Sequence, residues 1–571
     1  MKIFYTIGKN KIAWFWFFGL ILCAIKEGRA QDLGQIGKSK AFDKGGSLGV
    51  GCMFTQQNGI NARRVPFSWY LSGSPTLKIY DVSIPFSFVY SEQERSFSQP
   101  FNKYGASPFY KWVTVHAGWR NLYFSDYTLA GATFLGGGIE LNPGKIRFTA
   151  LYGKFRNKVT VNPENRSRYS YLLPSYERWG MGAKIGFGKG PNFTDIILFR
   201  AIDKQDTFLA KVADSVNIKP MENIALGLKS NYLLFKRLDV NIDLGLSVVT
   251  LDSRYKDSSI TELKDIKPYS NIIKINRSTI PYLAGNFSLG YGGKGYRIKA
   301  EYKRVDPEYQ TLGSYYVAND LEQYTISPTF MLFKNRLILT GSYGIRTNNL
   351  LKDQLNTTTN KIGSVFLNFN PKPNFGMSVN YSNYGTDLNS GRTQLNDSIL
   401  FSIINQAIGG SIKISKTKGS KTTNFVINGQ LQALQDNNII TRKNSESNSM
   451  VFSASLNKGD GKKGVNLGVN ANFTQVNNTG GTFQLAGPSV NIRKTFGKSK
   501  LGLNANASFQ QKIKQGNLDG NITNIGAGLN YTLQKKHNFS LMLNALFNNT
   551  KNVSIYTYNE QRASVRYTFT L

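Results

Sequence analysis

The sequence predicts an all-β chain, a large single-chain antiparallel β-barrel that crosses a membrane with its strands, and three observations predict it. Strand-forming residues alternate polar and apolar over segments of roughly ten residues, the length a tilted strand needs to span a bilayer. These segments come in pairs joined by a tight basic turn, and a longer polar loop leads from one pair to the next. The chain opens with a secretory signal, and no later run of about 18 apolar residues offers a transmembrane helix. A closed barrel is then the remaining fold that pairs every backbone group in lipid.

Composition agrees with this class. Of 571 residues, 13% are aromatic, 55 are glycine and only 18% are charged, which suits neither a disordered chain nor a salt-bridged helical enzyme. A formal net charge of +36 points to nucleic acid or to an anionic membrane surface. An exported chain seldom meets nucleic acid, so the expected partner is the lipid bilayer of the outer membrane.

Taken in order, residues 1–30 read as a cleaved signal peptide: Lys2, Lys9 and Lys11 precede the apolar run Ile12 to Ile25, and Gly28 and Ala30 precede Gln31. Cleavage there removes Cys23 and leaves Cys52 alone, so no intrachain disulfide is expected. Residues 31–46 are polar and glycine-rich and read as an N-terminal arm, with the barrel occupying 47–571. Three candidate strands follow at Ser47–Thr55, Pro66–Tyr80 and Ile84–Ser91, blurred by Pro75 and Pro85, since proline cannot donate to a ladder.

From Lys111 the pattern is regular. Its unit is Thr128–Arg156, in which the turn Asn142-Pro143-Gly144-Lys145 joins two strands. In the second strand Ile146, Phe148, Ala150 and Tyr152 point one way and Arg147 and Thr149 the other. Basic turns recur at Lys189, at Lys236 and Arg237, and at Lys294, Lys334, Lys372, Lys498, Lys535 and Lys536, whereas loops such as 157–177, 204–222, 252–278, 306–320 and 348–360 are long and mixed in charge. Short periplasmic turns and long extracellular loops match a bacterial outer-membrane barrel. The turn lysines then sit against lipid phosphates, each contributing roughly 1 kcal/mol.

Alternation is cleanest late in the chain, where Val465 to Phe473 interleave with Asn466, Asn470 and Asn472, and Leu501 to Phe509 with Asn504 and Asn506. The final segment puts Val565, Tyr567, Phe569 and Leu571 on one face and Arg566 on the other, like the terminal strand that barrel-insertion machinery recognises. Counting gives about 22 strands after Lys111 and about 24 in all, within a range of 22 to 26, because bacterial barrels hold an even number.

The stretch PFNKYGASP from Pro100 to Pro108, with Lys111-Trp112, Gly118-Trp119, Thr128 to Gly131 and Gly138 to Lys145, resembles large outer-membrane β-barrel proteins of the Bacteroidetes, a Gram-negative group. The resemblance implies the compartment and the fold. It concerns a functionally uncharacterised group and carries no residue roles.

Two histidines are present. His116 shares a face with Thr114, opposite Val113, Val115 and Ala117, and is expected to look into the lumen with Arg147, Asn466, Asn470, Asn472, Asn504, Asn506 and Arg566. His537 falls in a basic turn and is expected to be solvated. A barrel-embedded hydrolase needs a serine beside such a histidine, and nothing nearby singles one out, so neither enzyme activity nor a cofactor or metal is expected. The leading expectation is a porin-like channel for passive passage of small hydrophilic, anionic solutes. The alternative is a structural or assembly scaffold for a secreted or cell-surface partner held in or on the barrel, and an embedded enzyme comes third.

Overall fold

Closure of the wall places everything else. In the computed structural model, which describes residues 41–92, 102–159, 174–205, 217–255, 273–392, 400–497, 500–551 and 557–571, the first full strand meets the last. Ser47–Asn58 pairs antiparallel with Tyr558–Thr570, from Ser47 against Thr570 to Asn58 against Asn559. The result is a closed antiparallel barrel of 26 strands, with three extra strands in the same sheet. The expected signal peptide, most of the expected arm and Lys498 lie outside the described residues.

The count stands at the top of the expected range, and its excess over 24 has a definite origin. From Val113 onward there are 22 wall strands, as the periodicity implies. Ahead of them stand four, at Ser47–Asn58, Phe67–Gly73, Val82–Ser91 and a strand with no counterpart among the three expected ones, Lys103–Ala106 continued by Phe109–Tyr110. This fourth strand keeps one register against Val113–Asn121 on both sides of a break at Ser107 and Pro108. Glycine and proline leave it too short and irregular to show a period. The expected run 66–80 is itself divided at Ser74 and Pro75, and its second part, Thr76–Ile79, pairs with Phe42–Gly45 from the end of the arm.

The basic turns at Lys145, Lys189, Lys236, Lys294, Lys334, Lys372 and Lys535 lie on one rim. The backbone of Lys236, Lys334 and Lys535 takes positive φ of 60°, 57° and 60° in them. The chain end sits on the same rim, where Thr570 N–H donates to Lys536 O at 2.7 Å and Leu571 N–H to Gly46 O at 3.0 Å. His537 is not simply solvated there. Its Nδ1 is 2.8 Å from Tyr567 Oη, and its ring centroid is 5.0 Å from that of Phe569, because it opens the strand next to the terminal one. On the opposite rim the connections are long through the first two thirds of the chain. They then shorten to tight turns at Asn478–Gly481 and Lys514–Asn517.

One face of the wall is apolar and exposed around the barrel, with Phe187, Ile196, Leu226, Leu244, Leu283, Tyr343, Ile408, Val469 and Ile525 among its residues. The other face changes character along the chain. Every buried hydrophobic among the described residues lies between Trp119 and Leu321. Leu151 and Phe155, on the face that the Thr128–Arg156 reading assigns to polar side chains, belong to that core. Beyond Leu321 the described residues of the interior face form no apolar core.

Neighbouring strands pack closely where Gly136 faces Gly153 across the ladder. A Cβ on Gly153 would stand 2.6 Å from Leu135 O and 2.9 Å from the Gly136 Cα, whereas Gly429 has open space around it. Gly153→Val is expected to lower the stability of the refolded barrel by about 1–3 kcal/mol, read as a fall in the urea midpoint in detergent. Gly429→Ala should leave that midpoint in place.

Candidate functional site in the barrel interior

Two segments fold into the barrel from the long-loop rim. The first, Leu122–Ala132, follows the strand Val113–Asn121, and buries Phe124, Tyr127, Thr128 and Leu129. The second runs from Asp306 to Asp320 and buries Tyr309 and Thr311. They meet in a short parallel pairing, Leu129 against Gly313 and Ala130 against Ser314. Tyr309 Oη donates to Tyr127 O at 2.5 Å and Thr311 Oγ1 to Thr128 O at 2.7 Å. Burial, followed by the nearby Tyr127 and Asp243, pushes the Tyr309 phenol above its ordinary pKa, so it stays a donor.

The wall is shaped to receive them. Glycines of successive strands open sockets: a Cβ on Gly182 would meet Phe124 at 2.9 Å, one on Gly227 would meet Thr128 at 2.8 Å, and one on Gly245 would collide with Tyr127. Phe134, Phe155, Ile197 and Phe199 pack around Phe124 and Leu129 in one cluster, and Val249, Tyr282 and Val305 around Tyr127 and Tyr309 in another. Full burial of a side chain such as Phe124 or Leu129 contributes about 1.5–3 kcal/mol. Polar ties complete the attachment: Ser125 Oγ donates to Asp243 at 2.6 Å, and Leu312 N–H to Asn223 Oδ1 at 3.0 Å. Together these segments form a plug built from the chain's own loops.

Nearer the turn rim the same half of the wall carries charges of alternating sign. Arg147 pairs with Asp195 and lies 4.1 Å over the Phe193 ring. Lys229 faces Asp243 at 3.7 Å; at the long-loop rim, where the strand Arg178–Lys189 begins and the strand Asn192–Asp203 ends, Arg178 binds Asp203 at 2.7 Å. His116, buried, sits between Ser107, whose Oγ is 2.9 Å from Nδ1, and Glu140, whose Oε1 is 2.8 Å from Nε2. The sequence does not single out that serine because cross-strand register, and not spacing along the chain, brings it to the histidine. The order hydroxyl, imidazole, carboxylate is that of a nucleophile relay. The Ser107 N–H is spent on Pro85 O at 3.0 Å, however, so it is not free to stabilise an oxyanion. The trio braces three adjacent strands.

The second half of the interior face is amide-rich. Asn470 and Asn472 both donate to Ser489 Oγ, at 3.2 and 3.3 Å. Asn466 stands in register with Arg493, which stands in register with Asn504. Asn506 lies beside Asn491 and Gly526, and Arg566 beside Gly51 and Ser540. The glycines matter here as well, since a Cβ on Gly468 would stand 2.6 Å from Asn491 and one on Gly528 2.8 Å from Asn504 Nδ2. Asparagine side chains therefore lie flat over neighbouring glycines, an arrangement that alternation alone does not reveal. No group of three or more His, Cys, Asp or Glu placed to hold a metal occurs among the described residues.

No family model matches the chain, and no curated protein does. Among solved structures it is similar to OccAB2 of Acinetobacter baumannii, at 10% identity and TM-score 0.31, over 62% of this chain and 92% of that one. It is similar also to the FrpB iron transporter of Neisseria meningitidis (F5-1 variant), at 12% identity and TM-score 0.38, over 92% of this chain and 83% of that one. A third is the P pilus usher (PapC) translocation pore, at 11% identity and TM-score 0.38, over 92% and 99%. Such likenesses are too loose to say what this chain does.

Tyr309→Phe leaves the Tyr127 carbonyl buried without its donor, at a cost of about 1–3 kcal/mol. The wall does not depend on that bond. Chymotrypsin is expected to cut within 122–132 in this variant while the barrel keeps its β-sheet circular dichroism and its urea midpoint for global unfolding.

Proposed function

We propose that the chain is an outer-membrane β-barrel through which small hydrophilic solutes pass passively, beside its own plug. The observation that carries this reading is the uneven interior: all buried hydrophobics among the described residues lie between Trp119 and Leu321. Among the described residues nothing apolar is packed against the remaining wall, and its Asn, Ser, Thr and Gly side chains suit a water-filled route. Barrels of about 16 to 18 strands already enclose an aqueous channel, so one of 26 has room for both plug and passage.

The exposed apolar face supports a lipid environment, and the basic turns on one rim support an orientation with that rim in the periplasm. Export through a cleaved signal peptide and handover to the barrel-insertion machinery by Tyr567, Phe569 and Leu571 belong to the same reading. An anion preference rests on Arg493 and Arg566, which have no ion-pair partner among the described residues, while Arg147 is paired with Asp195, and Arg156 and Arg178 share Asp203. A catalytic role is not part of the proposal. The open half of the interior also gives room to a protein partner, which is what the scaffold reading requires.

Purified protein in a planar bilayer should give stable conductance steps with modest anion preference in a salt gradient. Removing 122–132 should enlarge those steps by about twofold or more, because the passage widens where the plug stood. Silence from folded protein that co-purifies with a stoichiometric partner would replace the channel by the scaffold.

A further inference from the structure

Where the plug meets the open half of the wall, on the long-loop rim, there is a cavity of about 830 Å³. It falls within the roughly 300–1,000 Å³ range of small-molecule sites. One wall is the inward segment Asp306–Asp320, and the other is the loop between the strands Leu337–Thr347 and Asn356–Lys372. The two walls hold each other. Asp320 accepts from Asn349 N–H and Leu350 N–H, both at 2.9 Å, and from Gln354 Nε2 at 2.9 Å. Asp306 in turn receives the Leu283 N–H at 2.7 Å, so the cavity is formed before any ligand arrives.

Its chemistry is unspent. Tyr282, only 6% exposed, lines the cavity, and its hydroxyl has no hydrogen-bond partner. A buried hydroxyl without a partner is costly, so the site has reason to receive one from a ligand. The Glu308 carboxylate lies near that hydroxyl without reaching hydrogen-bond geometry, and φ of 59° holds Glu308 in the left-handed region, where glycine or asparagine would sit with less strain. Tyr316, 82% exposed, presents a ring to the cavity mouth. Arg346 and Asp353 bring opposite charges to the same lining.

We propose that this cavity binds a neutral, polyhydroxylated solute of the oligosaccharide class at the entrance to the passage. The inference rests on the channel reading only for its place on a transport route. Hydroxyl groups both donate and accept, and so satisfy Tyr282, the two free carboxylates and the Arg346 guanidinium together. An anion would meet Glu308 and Asp353, and a simple cation would leave Arg346 unanswered. The Tyr316 ring supplies an apolar platform for the C–H face of a sugar ring.

The test uses the full mature chain in detergent and in planar bilayers, with maltotriose, cellotriose and raffinose as neutral probes and spermidine and citrate as charged ones. At least one trisaccharide should bind by calorimetry and interrupt the current. Tyr282→Phe, Glu308→Gln and Tyr316→Ala should each weaken that binding about three- to tenfold, with the sugar-free conductance unchanged. A conducting protein that no trisaccharide binds or blocks overturns the site and leaves the channel standing. Trisaccharide binding that the three variants weaken, in a protein that never conducts, keeps the site and removes the channel. Tighter binding of spermidine or citrate, or saccharide binding indifferent to all three variants, overturns the proposal.

Discussion

Backbone hydrogen bonding around a closed circuit is the constraint on which the rest of the structure depends. A strand edge left open would leave its N–H and C=O groups unpaired, and the pairing of Ser47–Asn58 with Tyr558–Thr570 removes the last two edges. Once the circuit closes, side chains on every strand are divided between an outer and an inner face. The outer face has one task and is uniformly apolar. The inner face is free to differ from one arc to another, and it does.

That freedom is used to build two interiors in one barrel. Along the strands from Val113 to Leu321 the inner face carries aromatic and aliphatic side chains that grip inward loops, with charge pairs below them. Along the later strands it carries amides laid over glycines. The connections shorten later than the interior changes: 348–355 and 437–446 are still long loops, and tight turns appear on that rim only at Asn478–Gly481 and Lys514–Asn517. The mouth cavity lies on the seam between these arcs, where Tyr282 of the plugged side and Arg346 of the open side line one space.

Most of the wall is legible in the sequence, because a two-residue period survives wherever the faces differ. It was legible even in the count of strands after Lys111. Lys103–Tyr110 is not, since Gly105, Ala106, Ser107 and Pro108 erase the period. The plug is not legible either. Its wall-side partners Leu151, Phe155 and Phe199 make both faces of their strands apolar, and Leu122–Ala132 reads as the start of a strand pair or as an ordinary loop. His116 is visible as a polar residue on an inner face, but Ser107 and Glu140 reach it through register across three strands, which no local pattern encodes.

The plug joins residues far apart in the chain: Tyr309 and Tyr127 are 182 positions from one another. Contacts of such separation carry a loop-closure cost, which ordering of the intervening chain lowers. Here the intervening chain is the wall itself, from Thr133 to Val305. Pairing of the strands in that arc brings Tyr127 and Tyr309 within reach of one another, so the wall acts as a vessel and the plug as its filling: the apolar inner patch at Phe155, Ile197 and Phe199 is covered only where Leu122–Ala132 has come in.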